Sequence, residues 1–224
     1  MQFSEINFSL LKEVNPDIVG WIHLPDTPID YPVVQERNGD YYLTHNISGE
    51  ESKHGSICLD SNPSMIFPDK QNRLRGHNMS DGSMFRALTS YLDPNFCLSH
   101  PFIEILTKND VYSALIWAVV RIPYSEEYLS IIPPEPLLFE KWLKTVKSRS
   151  LFRCVFSPAS DSRNIVFCTC ETEGEDGLAH GDVLIFGTLL HQDEVKSEYE
   201  KKTMKTPEEF NARKAEAEAL RDKI

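Results

Sequence analysis

The run Ile165-Val166-Phe167-Cys168-Thr169-Cys170 ends on a thiol and opens into the acidic, glycine-containing stretch Glu171-Thr172-Glu173-Gly174-Glu175-Asp176-Gly177. A buried, β-favouring strand that delivers a cysteine to the edge of a sheet beside a loop holds a nucleophile rigidly and leaves room for its partner. Side chains alternate along a strand, so Val166, Cys168 and Cys170 share one face while Ile165, Phe167 and Thr169 share the other. Cys170, last in line, is predicted to be the more exposed thiol. A bond between the two cysteines would be strained, because residues i and i+2 of an extended chain stand roughly 6.5–7 Å apart with parallel Cβ vectors. Read alone, such a cysteine is more often a small core residue than a nucleophile.

The remaining cysteines, Cys58, Cys97 and Cys154, sit singly in apolar runs, which suits buried thiols rather than a disulfide framework or a zinc site with paired C-x-x-C spacing. No metal or cofactor is expected. A formal net charge of −11 argues against nucleic acid as a partner, since that needs a basic stripe. With 41% hydrophobic and 25% charged residues over 224 positions, the chain is long enough for one domain with a full core, or for one domain plus an appendage. It has no run of eighteen apolar residues and no basic segment followed by an apolar core at its start, so neither a membrane span nor a signal peptide is visible.

The elements that would position Cys170 are mostly short strands. Phe3, Ile6, Leu10, Leu11 and Val14, with Phe8 just off the stripe, predict an amphipathic helix that stops near Asn15-Pro16. Gly20–Leu24, Ile29–Val34, Gly55–Asp60 and Arg73–His77 are β-prone runs between turn residues, and a short helical pattern runs through Met84, Phe85, Leu88 and Tyr91. Phe102–Leu106 and Val111–Ile122 predict a hairpin across Lys108-Asn109-Asp110. Leu138, Phe139, Trp142, Leu143 and Val146 predict a helix introduced by Pro133-Pro134-Glu135-Pro136, and strands Asn164–Cys170 and Asp182–Leu190 follow. The fold class is therefore mostly β with peripheral helices, a barrel or sandwich. Residues 1–190 form the predicted domain, and the heavily charged segment 191–224 is predicted to be a helical or disordered tail.

Several blocks carry a resemblance. Asn15-Pro16-Asp17-Ile18-Val19-Gly20-Trp21-Ile22, Ile29-Asp30-Tyr31-Pro32-Val33-Val34-Gln35, Tyr42-Leu43, Gly55-Ser56-Ile57, Gly76-His77-Asn78-Met79 with Met84-Phe85, and Thr169-Cys170 resemble, in order and spacing, the class B sortases of Gram-positive bacteria. The match spans roughly residues 1 to 190. The resemblance implies an eight-stranded sortase β-barrel with an N-terminal helix and a helix before the nucleophile strand. It also implies a cysteine transpeptidase that cuts a sorting motif of a secreted protein after threonine and passes the acyl group to a cell-wall or pilin amine. Such an enzyme works at the extracytoplasmic face of the membrane, with its anchor outside this sequence. By motif, Cys170 is the nucleophile and His77 the acid/base partner, a pairing that fits thiolate chemistry and proton transfer to and from amines. Alone, His77 would read as a turn histidine; with the surrounding blocks in order, the functional reading prevails. The other histidines, His23, His45, His54, His100 and His191, carry no such signal.

Two departures from the family stand out. Sortases carry an arginine on the last strand that holds the substrate and stabilises the thioester oxyanion, and no arginine lies between Cys170 and Leu190. Counting forward from Cys170 puts its position at His180, and counting back from Val183-Leu184-Ile185-Phe186 puts it at Asp182. A histidine lacks the planar five-donor fork, and an aspartate would repel the oxyanion. Arg75 stands where the family usually has tyrosine, two residues from His77, and is the next candidate donor; Arg163 is a remoter one. The resemblance further assigns Tyr128 and Leu129, Leu43 and Cys168 to the walls of the peptide groove, and the Glu171 backbone N–H to the oxyanion. An active enzyme and a degenerate fold that binds a sorting peptide or pilin with little turnover both remain open at this point.

Overall fold

A computed structural model describes residues 6–36, 39–60, 71–152, 157–170, 181–191 and 194. Among them eight strands close into a barrel in the order β1-β2-β3-β4-β7-β8-β6-β5. The strands are β1 (Ile18–His23), β2 (Asp30–Gln35), β3 (Ile57–Leu59), β4 (Gln71–Arg75), β5 (Phe102–Leu106), β6 (Val111–Pro123), β7 (Asn164–Cys170) and β8 (Gly181–His191). Two pairs are parallel, β2 with β3 and β4 with β7; the rest are antiparallel. Helices α1 (Phe8–Val14), α2 (Tyr41–Thr44), α3 (Pro94–Ser99) and α4 (Pro136–Arg149), with 3-10 helices Arg86–Leu92 and Tyr124–Ser130, lie around it.

The alternation read from β7 holds. Ile165 and Phe167 join Ile22, Val33, Leu74, Ile103, Val183 and Ile185 in the core that fills the barrel. Val166 and Cys168 face the other way, into a second cluster with Trp117, Leu184 and Phe186 that is covered by Phe139, Trp142 and Val146 of α4. Both faces of β7 are thus buried, which explains its nearly continuous apolar sequence. Trp142 also donates its indole N–H to the Leu129 carbonyl (2.9 Å), tying α4 to the segment before it. The predicted hairpin forms, with Thr107 and Asp110 closing its turn by a 2.8 Å backbone bond.

The first helix differs from its predicted pattern. It begins at Phe8 because the Asn7 side chain accepts from the N–H groups of Ser9 and Leu10, an N-cap that fixes the start. That register buries Phe8, which lay just off the expected stripe, keeps Leu11 packed against the core and leaves Leu10 and Val14 exposed. Residues 1–5, including Phe3, lie outside the described residues. Cys58 and Cys97 are buried thiols, and Cys154 is outside the described residues.

Candidate active site

Cys170 closes β7, and its neighbour in the sheet is β4. The parallel register pairs Leu74 with Phe167 and Arg75 with Cys168, and the Gly76 N–H donates to the Cys168 carbonyl (3.3 Å). Two residues further along each chain come His77 and Cys170, so the register carries the imidazole to the same end of the sheet as the thiol. The approach is tight. A Cβ at Gly76 would stand 2.4 Å from Ile57 Cδ1 and 2.9 Å from the Phe85 ring, so only glycine lets the chain pass there. Thr169 donates its hydroxyl to the Gly76 carbonyl (2.9 Å) and Asn78 Nδ2 donates to the Cys170 carbonyl (3.0 Å), stitching the two strand ends together. Arg86 in turn holds Asn78, and the Phe85 N–H donates to the His77 carbonyl (2.8 Å).

The imidazole has a defined orientation. His77 Nε2 lies 2.7 Å from the Leu43 carbonyl oxygen. A carbonyl only accepts, so Nε2 carries the proton and Nδ1 keeps the lone pair in the neutral ring. That carbonyl is itself fixed: Gly55 sits at φ +58°, and a Cβ there would be 2.5 Å from Leu43 O. Leu43 and His77, with Thr44, His45, Glu51, Ser52 and Lys53, line an open cavity of about 500 Å³.

On the other side of Cys170 the register is equally direct. β8 sets Asp182 opposite Cys170 and Leu184 opposite Cys168. Of the two positions indicated for the family's arginine, Asp182 is the one paired with the thiol; His180 lies outside the described residues, as does Glu171. Burial raises the Asp182 carboxyl to about 6; a hydrogen bond from Cys168 opposes this, Glu127 adds to it, and Arg73 and Arg75 oppose it. Burial, and then the charge of Asp182, push the Cys170 thiol up, while a hydrogen bond from Tyr124 pulls it down. Cys170 therefore rests as a thiol, and its proton has to leave as it attacks.

Other residues expected at the site fall into two groups. Tyr128 is 56% exposed on the 3-10 helix Tyr124–Ser130, and Tyr124 at its start is 50% exposed. Leu129, in contrast, is 1% exposed and packs into the cluster beneath α4, because its side chain points toward the barrel. Cys168 is likewise buried at 7%, with its thiol pushed far up by burial, so it forms floor beneath Cys170 and not a wall open to a peptide. Arg75 is committed elsewhere: it donates to Asp40 Oδ1 (2.6 Å) and the Gly39 carbonyl (2.9 Å) and pairs with Asp60 (3.0 Å). Arg163 precedes the first residue of β7 and stacks over Tyr112, a whole strand away from Cys170.

Arg73 escaped the sequence reading. Its Nε donates to Asp60 (2.5 Å), and its Nη1 donates to Glu127 (2.9 Å) and Ser130 Oγ (2.7 Å). It thereby straps the Tyr124–Ser130 helix to the barrel. The available signal was alternation, since Arg73 and Arg75 occupy the same face of β4 as a functional His77 would.

No protein-family model matches the chain. Sortase B of Listeria monocytogenes is 37% identical over 180 residues, 80% of this chain and 72% of that protein. Sortase B of Staphylococcus aureus is 27% identical over 73% of this chain and 67% of that one. The solved Listeria monocytogenes sortase B superposes with a TM-score of 0.70 at 35% identity, covering 81% of this chain and 99% of that one. A Staphylococcus aureus sortase B–substrate complex gives 0.74 at 24% identity, with 83% and 85% covered, and extends the likeness of fold. The blocks around His77 and Cys170, the eight-stranded mixed barrel and this degree of identity lead to one conclusion: the chain belongs to the class B sortases, a family of cysteine transpeptidases.

Proposed function

We propose that the chain cleaves a sorting motif of a secreted protein after threonine, through Cys170, and transfers the acyl group to an amine of a cell-wall peptide or pilin. The observation that carries this reading is the parallel β4–β7 register, which brings His77 to the strand end that bears Cys170. In the first half-reaction the Cys170 sulfur attacks the threonine carbonyl carbon and its proton passes to His77 Nδ1. The C–N bond then breaks and that proton goes to the departing amine, leaving a thioester. In the second, an incoming amine attacks the thioester, His77 takes its proton and the thiol is restored. The Leu43 carbonyl holds the ring in the tautomer that leaves Nδ1 free for both transfers.

Tyr128 and Leu43 are the groove residues this reading retains among the described ones, and the Glu171 amide and His180 remain candidates for the oxyanion. Work at the outer face of the cell membrane follows from the substrate class; none of the described helices is long and apolar enough to cross a membrane. Residues 1–190 would constitute the catalytic domain and 191–224 an appendage.

A second reading, peptide binding with little turnover, is favoured by one observation, the carboxylate of Asp182 opposite Cys170. The two separate in one experiment. Incubation with a threonine-containing sorting peptide should give a thioester adduct on Cys170 by mass spectrometry, lost in Cys170→Ala and His77→Ala and kept in Cys168→Ala. Binding of the peptide with no adduct at any time would establish the second reading.

A further inference from the structure

Acyl transfer moves a negative charge from sulfur to the carbonyl oxygen, and that oxygen needs a donor about 3 Å away. The strand position facing the thiol holds Asp182, which can only oppose such charge when ionised. The nearby guanidiniums are engaged, Arg73 by Asp60, Glu127 and Ser130, and Arg75 by Asp40 and Asp60. Tyr124 is differently placed. β6 pairs Ile122 with Asp182 and Pro123 with Gly181, so the chain leaves β6 at the end of the barrel where Cys170 stands. The next residue, Tyr124, brings its hydroxyl within hydrogen-bonding reach of the Cys170 thiol. Its helix is clamped to the barrel by Arg73 at Glu127 and Ser130, and to α4 by the Glu126–Arg149 ion pair.

We propose, building on the transpeptidase reading above, that the Tyr124 hydroxyl is a catalytic hydrogen-bond donor. It stabilises negative charge as that charge passes from the Cys170 sulfur to the threonine carbonyl oxygen, the task the family gives to its arginine. In the tetrahedral intermediate sulfur and oxygen share one carbon, so a donor seated on the sulfur reaches the oxygen by a small rotation. The phenol keeps its own proton throughout; the transferred proton travels between Cys170, His77 and the amine. Burial, followed by the charges of Cys170 and Asp182, pushes Tyr124 up to about 12, so it remains a donor at any working pH.

The test is Tyr124→Phe, which removes one oxygen from a half-exposed ring. Single-turnover acylation by a sorting peptide should fall about a hundredfold or more, with little change in peptide KM. The pH profile of Cys170 alkylation should also move to higher pH, because the thiolate loses a donor; a merely structural tyrosine would not produce that shift. Asp182→Arg placed on the Tyr124→Phe background should recover acylation. Acylation by Tyr124→Phe within about threefold of wild type, with an unchanged alkylation profile, overturns the role while leaving the transpeptidase reading intact. Failure of the wild-type protein itself to form any acyl-enzyme overturns both.

Discussion

Asp182 faces the candidate nucleophile across the sheet and sets the electrostatics around it. Its carboxyl is pushed up to about 6, chiefly by burial, whereas an unfolded aspartate titrates near 4. Between about pH 4 and 6 the folded protein therefore binds more protons than the unfolded chain, and stability falls as pH rises through that window. Below it both states are protonated and the cost is absent; above it both are ionised and the cost is fully present. Asp182→Asn should match wild type near pH 4 and become more stable by on the order of 1 kcal/mol above pH 6, a figure reduced for the solvent that screens a partly exposed group. Melting curves at pH 4, 5, 6 and 7.5 would show the divergence, and a constant difference across them would mean that Asp182 is not the titrating group. The same substitution should speed alkylation of Cys170 at neutral pH, because the neighbouring charge that holds the thiol's proton is gone. At this scale the sequence singled out Cys170 and His77 by motif, which the β4–β7 register brings to one end of the sheet, and left two positions open for the arginine's replacement. Two countings of a loop gave His180 and Asp182, and strand register was needed to seat one of them opposite the thiol. Tyr124 was not singled out in the sequence, since nothing local says that the chain leaves β6 beside Cys170.

At the scale of elements, patterns of period two were legible and contacts between distant segments were not. β5, β6, β7 and β8 lie within a residue or so of their predicted bounds, because alternation and turn residues bracket them. The helix Pro94–Ser99 was missed although Asp93 caps it and Pro94 begins it, for six residues hold too few apolar positions to show a period. The sequence marks Gly55 only as the start of a β-prone run and part of a family block, yet Gly55 packs directly against the Leu43 carbonyl that orients His77. It has a left-handed φ and no room for a Cβ. Gly55→Ala should cost about 1–3 kcal/mol in stability from backbone strain and displacement of Leu43. It should also lower kcat more than it raises KM, since the loss falls on the imidazole and not on the peptide groove. Equal kcat in a destabilised but folded Gly55→Ala protein would mean that His77 does not depend on that carbonyl.

The whole molecule is a closed barrel, and closure decides what the rest of the chain can contribute. Each strand has two neighbours, so no sheet edge among the described residues waits for a further segment to cover it. The sequence indicated a mostly β domain, but composition and periodicity cannot reveal that β2 pairs with β3 and β4 with β7 in parallel, as those pairings join segments far apart in the chain. β8 is bonded along its length to β6 and, from Asp182 to Thr188, to β7, and ends at His191, whose N–H donates to the Glu194 carboxylate (2.9 Å). Everything after Glu194 lies outside the described residues, and its composition is rich in Lys and Glu with few apolar anchors beyond Phe210 and Leu220. A segment so poor in apolar surface has little to bury against a barrel that is already closed. Deleting the chain after Glu194 should therefore leave stability within about 1 kcal/mol of the full chain, and should leave thioester formation on Cys170 unchanged. Chemical denaturation of the two proteins side by side measures the first, and the peptide adduct measures the second. A drop of several kcal/mol, or the loss of a dimer that the full chain forms in sedimentation, would instead assign the tail a packed surface and a part in assembly.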